Sequence, residues 1–406
     1  MGKKNILFIC GHYAFPSAAN SICVQNLAEE FVRQGHNVFV LARGCEYTGQ
    51  QETINGVTVW KQSGNNYQNV FSYLKRRKGL LWQLLLKVVQ FARYSIVLWY
   101  YPVISPRDIP KVHKKARNII DNYSINTIVA TYMSYDNIKV AMKLKDDYGD
   151  RIQVVSYHLD LLTNPHNESK SIHGIKLHLA HKVLNKEFAT VDRILLPNSA
   201  PLLDHEKIRY VDFPLYVPNN ASDNINAIDV FDDNCINIAI AGTLDSINRN
   251  PSYFCKLISS LSTIQGKRII LHIWGAIKDV NLGGYQNVIH HGMAKVEEVP
   301  AILNGCDFLL NIGNRITYDM VPSKIFQMFA AKKPIIFCIA SKNDKSLPYF
   351  QKYKYVCMVD EYMNDSETDI LKIQTFINTY LNTTIFVEDN LYESSTPIYI
   401  CKKIIE

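Results

Sequence analysis

The stretch Val321-Pro322-Ser323-Lys324-Ile325-Phe326-Gln327-Met328-Phe329-Ala330-Ala331-Lys332-Lys333-Pro334-Ile335-Ile336-Phe337-Cys338-Ile339-Ala340 decides how the chain is read. From Pro322 the spacing predicts a short helix. Lys332-Lys333-Pro334 breaks it, and residues 334–339 form an apolar strand. Proline in a first helical turn gives up no N–H that the helix needs, and it leaves free backbone donors that can face a phosphate. Lys324, in that same turn, adds a full positive charge.

Working outward, apolar runs at 236–241, 269–274, 288–290 and 308–312 precede this strand, separated by connecting segments. Residues 219–234 are polar, carry Asn, Asp and Ser without periodicity, and read as a linker. Before them, 6–10 is an apolar run, 11–21 a loop, and 22–34 an amphipathic helix ended by Gly35-His36-Asn37, with 38–41 the next strand. Strand, helix, turn and strand make a βαβ unit of a parallel sheet. Further runs at 127–130, 153–157 and 193–197 continue the alternation. The fold class expected is therefore α/β: a first Rossmann-like domain over 1–218, the linker 219–234, and a second over 235–385. Residues 386–406 are too few for another βα unit.

These landmarks together resemble the nucleotide-sugar-dependent glycosyltransferases with the GT-B fold, of the large retaining type that includes glycogen and sucrose synthases and bacterial surface polysaccharide enzymes. The opening stretch is similar to their P-x-K-x-x-E-x-x-A-x-G-x-P-I-I signature. Gly35-His36 is similar to the R-G-H-x-V turn, and Ala241-Gly242-Thr243-Leu244 to the loop after the first strand of the second domain. Trp274-Gly275 matches the Y-G or W-G turn, and Val299-Pro300-Ala301-Ile302-Leu303 with Cys306-Asp307 the V-P-x-x-L…A-D element. The order and spacing cover nearly the whole chain. The resemblance implies two Rossmann-like domains facing each other across a cleft, the first binding acceptor and the second donor, with the C-terminal segment crossing back to the first.

It also implies site residues. Gly242 and Arg249 lie in the loop after residue 241, where the family pairs a basic residue with the donor diphosphate; Ser323 and Lys324 open the donor helix. A guanidinium is always charged and has five donors, which suits a leaving group that departs as a dianion. With Lys324 it implies a site that needs no metal, and no strand-terminal D-x-D occurs. Asp319 and Gln327 stand at the two ends of the family's E-x7-E element. Gln327 lacks the charge of the glutamate that holds the donor ribose there, a change expected to weaken ribose binding by roughly 1–2 kcal/mol. His158 follows the 153–157 strand, with Asp160 two residues on, at the carboxyl end where open α/β sheets place ligands. The resemblance puts that histidine near the reacting sugar. Gly11, His12 and Asn20 belong to a loop expected to act as a lid over the acceptor or donor sugar. His166, His173, His178 and His181 read as a solvated helix rather than a zinc site, because only His178 and His181 share a face.

With 406 residues, 47% of them hydrophobic, the chain is long enough for two cores. Its formal charge of +7 is modest and suggests anionic partners without implying nucleic acid. Nine scattered cysteines and a first strand that starts directly after Met1-Gly2-Lys3-Lys4-Asn5 read as reduced thiols in a cytoplasmic chain without a leader. Residues 75–101 open on Lys75-Arg76-Arg77-Lys78 and continue as an apolar stretch with a narrow polar stripe of Gln83, Lys87, Gln90 and Tyr94. Such a helix either lies in a membrane interface or is buried in the first domain. The expected activity is transfer of a hexose from a UDP- or GDP-linked donor, a substrate rather than a cofactor, to a glycan acceptor that the apolar helix would make lipid-linked. A GT-B nucleotide-sugar epimerase and a non-catalytic partner of another transferase share these features and stay open.

Overall fold

The computed structural model describes residues 2–14, 19–45, 51–63, 66–77, 79–132, 134–160, 170–217, 230–261 and 263–406. The chain divides into two compact units, Met1–Pro214 with Ser394–Glu406, and Leu215–Glu393. The expected linker lies largely outside the described residues.

The first unit is built on β1 (Asn5–Cys10), β2 (Asn37–Cys45), β3 (Glu52–Ile54), β4 (Val57–Ser63), β5 (Thr127–Tyr132), β6 (Gln153–His158), β7 (Arg193–Pro197) and β8 (Ile208–Val211). Their order in the sheet is β3-β4-β2-β1-β5-β6-β7-β8. All neighbours pair in parallel except β3 with β4. That hairpin went unread in the sequence although Asn55-Gly56 marks it. Both residues take positive φ, 48° and 80°, the geometry a tight two-residue hairpin turn requires. The helix after β1 runs Ala19–Arg33, so it starts three residues earlier than the spacing predicted and includes Asn20. Ser21, expected in the loop, is fully buried on it.

β1, β5 and β6 are buried over nearly their whole length because helices cover both faces of a parallel sheet. Ile128, Ile138, Val154 and Ile194 meet in one core. The last helix, Pro397–Ile405, belongs to this unit: Cys401 Sγ donates to Leu27 O at 3.6 Å, and Arg193 Nη1 donates to Lys403 O and Ile404 O at 2.9 Å each. The arginine thus satisfies carbonyls that a helix end leaves open. The return comes at Ser394 rather than near 386. Tyr392 packs on Phe329 with ring centroids 4.2 Å apart and donates to Tyr349 O at 2.6 Å, which ties residues just before 394 to the second unit.

The second unit contains β9 (Cys235–Ala241), β10 (Leu244–Asp245), β11 (Arg268–Trp274), β12 (Ile277–Lys278), β13 (Val288–Gly292), β14 (Phe308–Ile312), β15 (Ile335–Ile339) and β16 (Val356–Asp360). The main sheet is ordered β13-β11-β9-β14-β15-β16 and is parallel throughout, with β10 and β12 forming a small pair beside it. From β9 the chain moves outward first through β11 and β13, then returns to the other side through β14, β15 and β16. The strand order therefore reverses between β9 and β14. In open α/β sheets ligands bind outside the carboxyl ends of the strands at such a reversal.

Candidate functional site

In the second unit the chemistry gathers at that reversal. β9 ends at Ala241, and Gly242 follows with φ +150°, its N–H donating to Trp274 O at 2.7 Å. Gly275, just after β11, has φ +142° and donates to Gly292 O at 2.7 Å. A Cβ on Gly275 would lie 2.1 Å from Gly242 O, and one on Gly242 would lie 2.5 Å from Lys324 Nζ. The two glycines let backbone pass backbone and leave room for the lysine ammonium. Lys324 makes one weak hydrogen bond, Nζ to Ala241 O at 3.4 Å.

Arg249 reaches the same edge by way of a rigid loop. Asp245 Oδ1 accepts from Ile247 N at 2.9 Å and Asn248 N at 2.6 Å, an Asx turn that shapes the segment after β10. Asn248 Oδ1 in turn accepts from Ile316 N and Thr317 N at 2.9 and 3.1 Å, clamping this loop to the one after β14. Arg249 Nε donates to Asn314 Oδ1 at 2.7 Å. Asn314 is 1% exposed, donates its N–H to Asp344 Oδ2 at 3.0 Å, and donates through Nδ2 to Thr317 O and Met320 O. It is the residue that aims the guanidinium. Sequence reasoning passed it over, although an Asn just past an apolar strand is the signal that could have marked it.

Among the described residues neither Arg249 nor Lys324 makes an ion pair. Burial lowers the pKa of Lys324 well below the ordinary lysine range, and the neighbouring Arg249 lowers it further. Burial also lowers that of Arg249, against the opposing pull of Asp245 and Asp344. Lys324 is thus a buried amine whose charged form is disfavoured by both its surroundings and the Arg249 guanidinium, an arrangement that an anion would relieve.

The helix Lys324–Ala330 is preceded by a turn: Ile325 N donates to Pro322 O at 3.2 Å and Phe326 N to Ser323 O at 3.3 Å. Ser323, Asp319 and Gln327 are all partly exposed. The Gln327 side chain makes no hydrogen bond among the described residues. Gly275→Ala is expected to be severe, since the substitution forces a side chain into positive φ and into a carbonyl. A loss on the order of 3 kcal/mol or more in stability is expected, read as a lower urea midpoint. An unchanged midpoint would contradict the close passage of the two glycines.

In the first unit the expected residues fare differently. His158 ends β6 at the carboxyl edge of the sheet but is 1% exposed. Its Nε2 lies 2.7 Å from Oε1 of Glu187, which is fully buried on the helix Lys170–Thr190. Tyr132 packs on the imidazole at 5.4 Å, and the Tyr135 hydroxyl is pushed up by burial and by the Glu187 charge. Glu187 was missed. Its place one turn from Val183 and Leu184, on the apolar side of its helix, was a readable signal of a buried carboxylate. Asp160, by contrast, is exposed. Gly11 and His12 follow β1, and burial lowers the pKa of His12. Residues 15–18 of that loop, His166 and the His173 side chain lie outside the described residues; His178 and His181 are exposed. Among the described residues no cluster of three or more His, Cys, Asp or Glu could hold a metal.

No protein-family model and no curated protein matches the chain in sequence. Solved structures do match its fold. The spinosyn forosaminyltransferase SpnP aligns over 100% of both chains with a TM-score of 0.53 at 12% identity. The glycotransferase of kitacinnamycin aligns over 100% of this chain and 99% of its own, with a TM-score of 0.52 at 10% identity. A glycosyltransferase from Rickettsia africae ESF-5 aligns over 100% of both, with a TM-score of 0.50 at 12% identity. What is shared at these identities is the fold, a GT-B architecture of two α/β units.

Proposed function

We propose that this protein is a metal-independent glycosyltransferase that moves a hexose from a UDP- or GDP-linked donor to a glycan acceptor in bacterial surface polysaccharide synthesis. The observation that carries this reading is the placing of Arg249 beside Lys324, neither of them in an ion pair among the described residues, at the strand-order reversal of the second unit. A diphosphate there neutralises both cations at once, and the positions of Gly242 and Ser323 leave its oxygens close to backbone. Asp319 and Gln327 meet the donor farther along the same edge, Gln327 through an uncharged amide.

In this reading transfer retains configuration. The bond between the anomeric carbon and the diphosphate oxygen breaks, the departing diphosphate takes the acceptor hydroxyl proton on the same face, and the acceptor oxygen bonds the anomeric carbon. No enzyme nucleophile is needed, and the cations stabilise the charge that develops on the leaving group. Asp160, exposed past the end of β6, meets the acceptor; His158 acts behind it through its pair with Glu187. Gly11, His12 and Asn20 serve the acceptor side in the first unit. The acceptor is lipid-linked, and the protein works in the cytoplasm against the inner face of the membrane.

The deciding experiment is a thermal-shift and calorimetry panel of UDP- and GDP-sugars in excess EDTA, followed by assay of slow sugar release. A donor at one hundred times its dissociation constant should stabilise the protein by about 2.7 kcal/mol. The shift and the release should both survive EDTA. Activity that needs added Mn²⁺ would overturn metal independence, and no shift with any nucleotide sugar would overturn donor binding. Gln327 favours one rival, a non-catalytic homologue, which would show the shift without release.

A further inference from the structure

The helix Leu80–Tyr100 presents three faces over residues 80–92. At 100° per residue, Trp82, Leu86 and Val89 fall on one side, and all three are partly buried. Gln83, Lys87 and Gln90 form a narrow exposed stripe beside them. The remaining arc is apolar and turned to solvent: Leu81 is 65% exposed, Leu84 54%, Val88 62% and Phe91 73%. The spacing i, i+3, i+7, i+10 keeps these four in one line along the helix. An apolar stripe in this position is not explained by the core of the first unit, which it does not join.

The charge around the stripe selects its partner. Residues 66–100 hold six Lys or Arg and no Asp or Glu. Lys75, Arg76 and Arg77 are exposed at the end where the helix begins, and Lys87 flanks the stripe. Arg77 donates to Tyr73 Oη at 2.9 Å and lies over the rings of Tyr73 at 4.9 Å and Trp82 at 5.5 Å, so a cation and two aromatic rings are assembled where the apolar face starts. Aromatic and basic groups beside an apolar helical stripe suit the boundary between lipid headgroups and acyl chains. A second copy of the chain would set this basic segment against itself across a symmetric contact. No described helix is long and apolar enough to cross a membrane.

We infer that residues 75–77 and 79–92 form a docking surface for an anionic lipid bilayer, with the helix lying in the interface plane and Leu81, Leu84, Val88 and Phe91 entering the acyl boundary. This deepens the proposed reading of a protein working against a membrane, on which it rests for its setting, and its test needs no donor. The full chain is sedimented with vesicles of phosphatidylcholine containing phosphatidylglycerol and with pure phosphatidylcholine vesicles. Wild type should pellet with the first and much less with the second. Arg76→Glu with Arg77→Glu should weaken the anionic binding about tenfold or more. Leu84→Gln with Val88→Gln, at exposed positions, should abolish it with circular dichroism unchanged. Failure of the wild type to pellet, or equal pelleting with both vesicles, would overturn the inference. So would a concentration-dependent dimer that Leu84→Gln with Val88→Gln dissolves, which would assign the face to a second copy. Each of these results leaves the diphosphate site standing, because the nucleotide-sugar panel reads that site without lipid.

Discussion

Lys324→Met is expected to make the protein more stable and to bind a nucleoside diphosphate about a hundredfold more weakly, a loss of roughly 3 kcal/mol in affinity. The two effects have one cause. In the free protein the ammonium is partly desolvated, faces Arg249, and has only a 3.4 Å bond to Ala241 O in return. Methionine is unbranched and only one atom shorter, and it removes the conflict, so a gain on the order of 1 kcal/mol is expected in urea unfolding. With the diphosphate present the same charge becomes favourable, and its loss is felt in full. Proton linkage gives an independent reading. Because the pKa of Lys324 is depressed, the free protein loses this proton as pH rises through the lowered value, whereas the bound dianion retains it. Binding should therefore take up a proton and weaken as pH rises through that window, seen in calorimetry as a heat that depends on the buffer. Lower stability with unchanged affinity would mean that Lys324 is structural and that the anion site lies elsewhere. Arg249→Met should lose comparable affinity without the gain in stability, since it also removes the 2.7 Å bond to buried Asn314 Oδ1 and leaves that oxygen only the 3.3 Å bond from Asn248 Nδ2.

His158→Ala is expected to cost about 3 kcal/mol of stability, the order of penalty for leaving a buried polar group without its hydrogen-bond partner. Glu187 would stay fully buried with its imidazole partner gone. Adding Glu187→Gln to His158→Ala should recover part of the loss, because a neutral amide tolerates burial without the imidazole better than an acidic side chain does. A double-mutant cycle then measures the coupling directly. If His158→Ala instead folds with its stability intact and loses turnover alone, the histidine reaches the reacting sugar itself and the pairing with Glu187 only orients it.

The strands that were legible are those whose burial is two-sided. Residues 6–10, 236–241 and 308–312 read as runs of apolar residues because helices cover both faces of each sheet, so no polar alternation interrupts them. The elements that went unread carry weaker local patterns. β16 at the edge of its sheet is buried at alternate positions, and its sequence Val-Cys-Met-Val-Asp does not announce a boundary. β8, four residues long, is also an edge strand. The basic and apolar character of 75–101 was legible as well. Which of its two readings applied was not, because periodicity describes a face without saying what lies against it; the exposures of Leu81, Leu84, Val88 and Phe91 exclude full burial.

Sequence alone determined the α/β class and the positions of Gly242, Arg249 and Lys324 on loops and helix starts after parallel strands. Each of these follows from neighbouring residues: runs, turns, a proline in a first turn. Tertiary structure decided what those residues meet. Asn314 aims Arg249 from 65 positions away, Lys324 reaches Ala241 across 83, and Glu187 encloses His158 across 29. The close passage of Gly275 over Gly242 likewise joins two strand ends through the sheet. Local spacing cannot carry such pairings, because they are set by strand order, and strand order is settled by which apolar faces pack together when the whole unit folds.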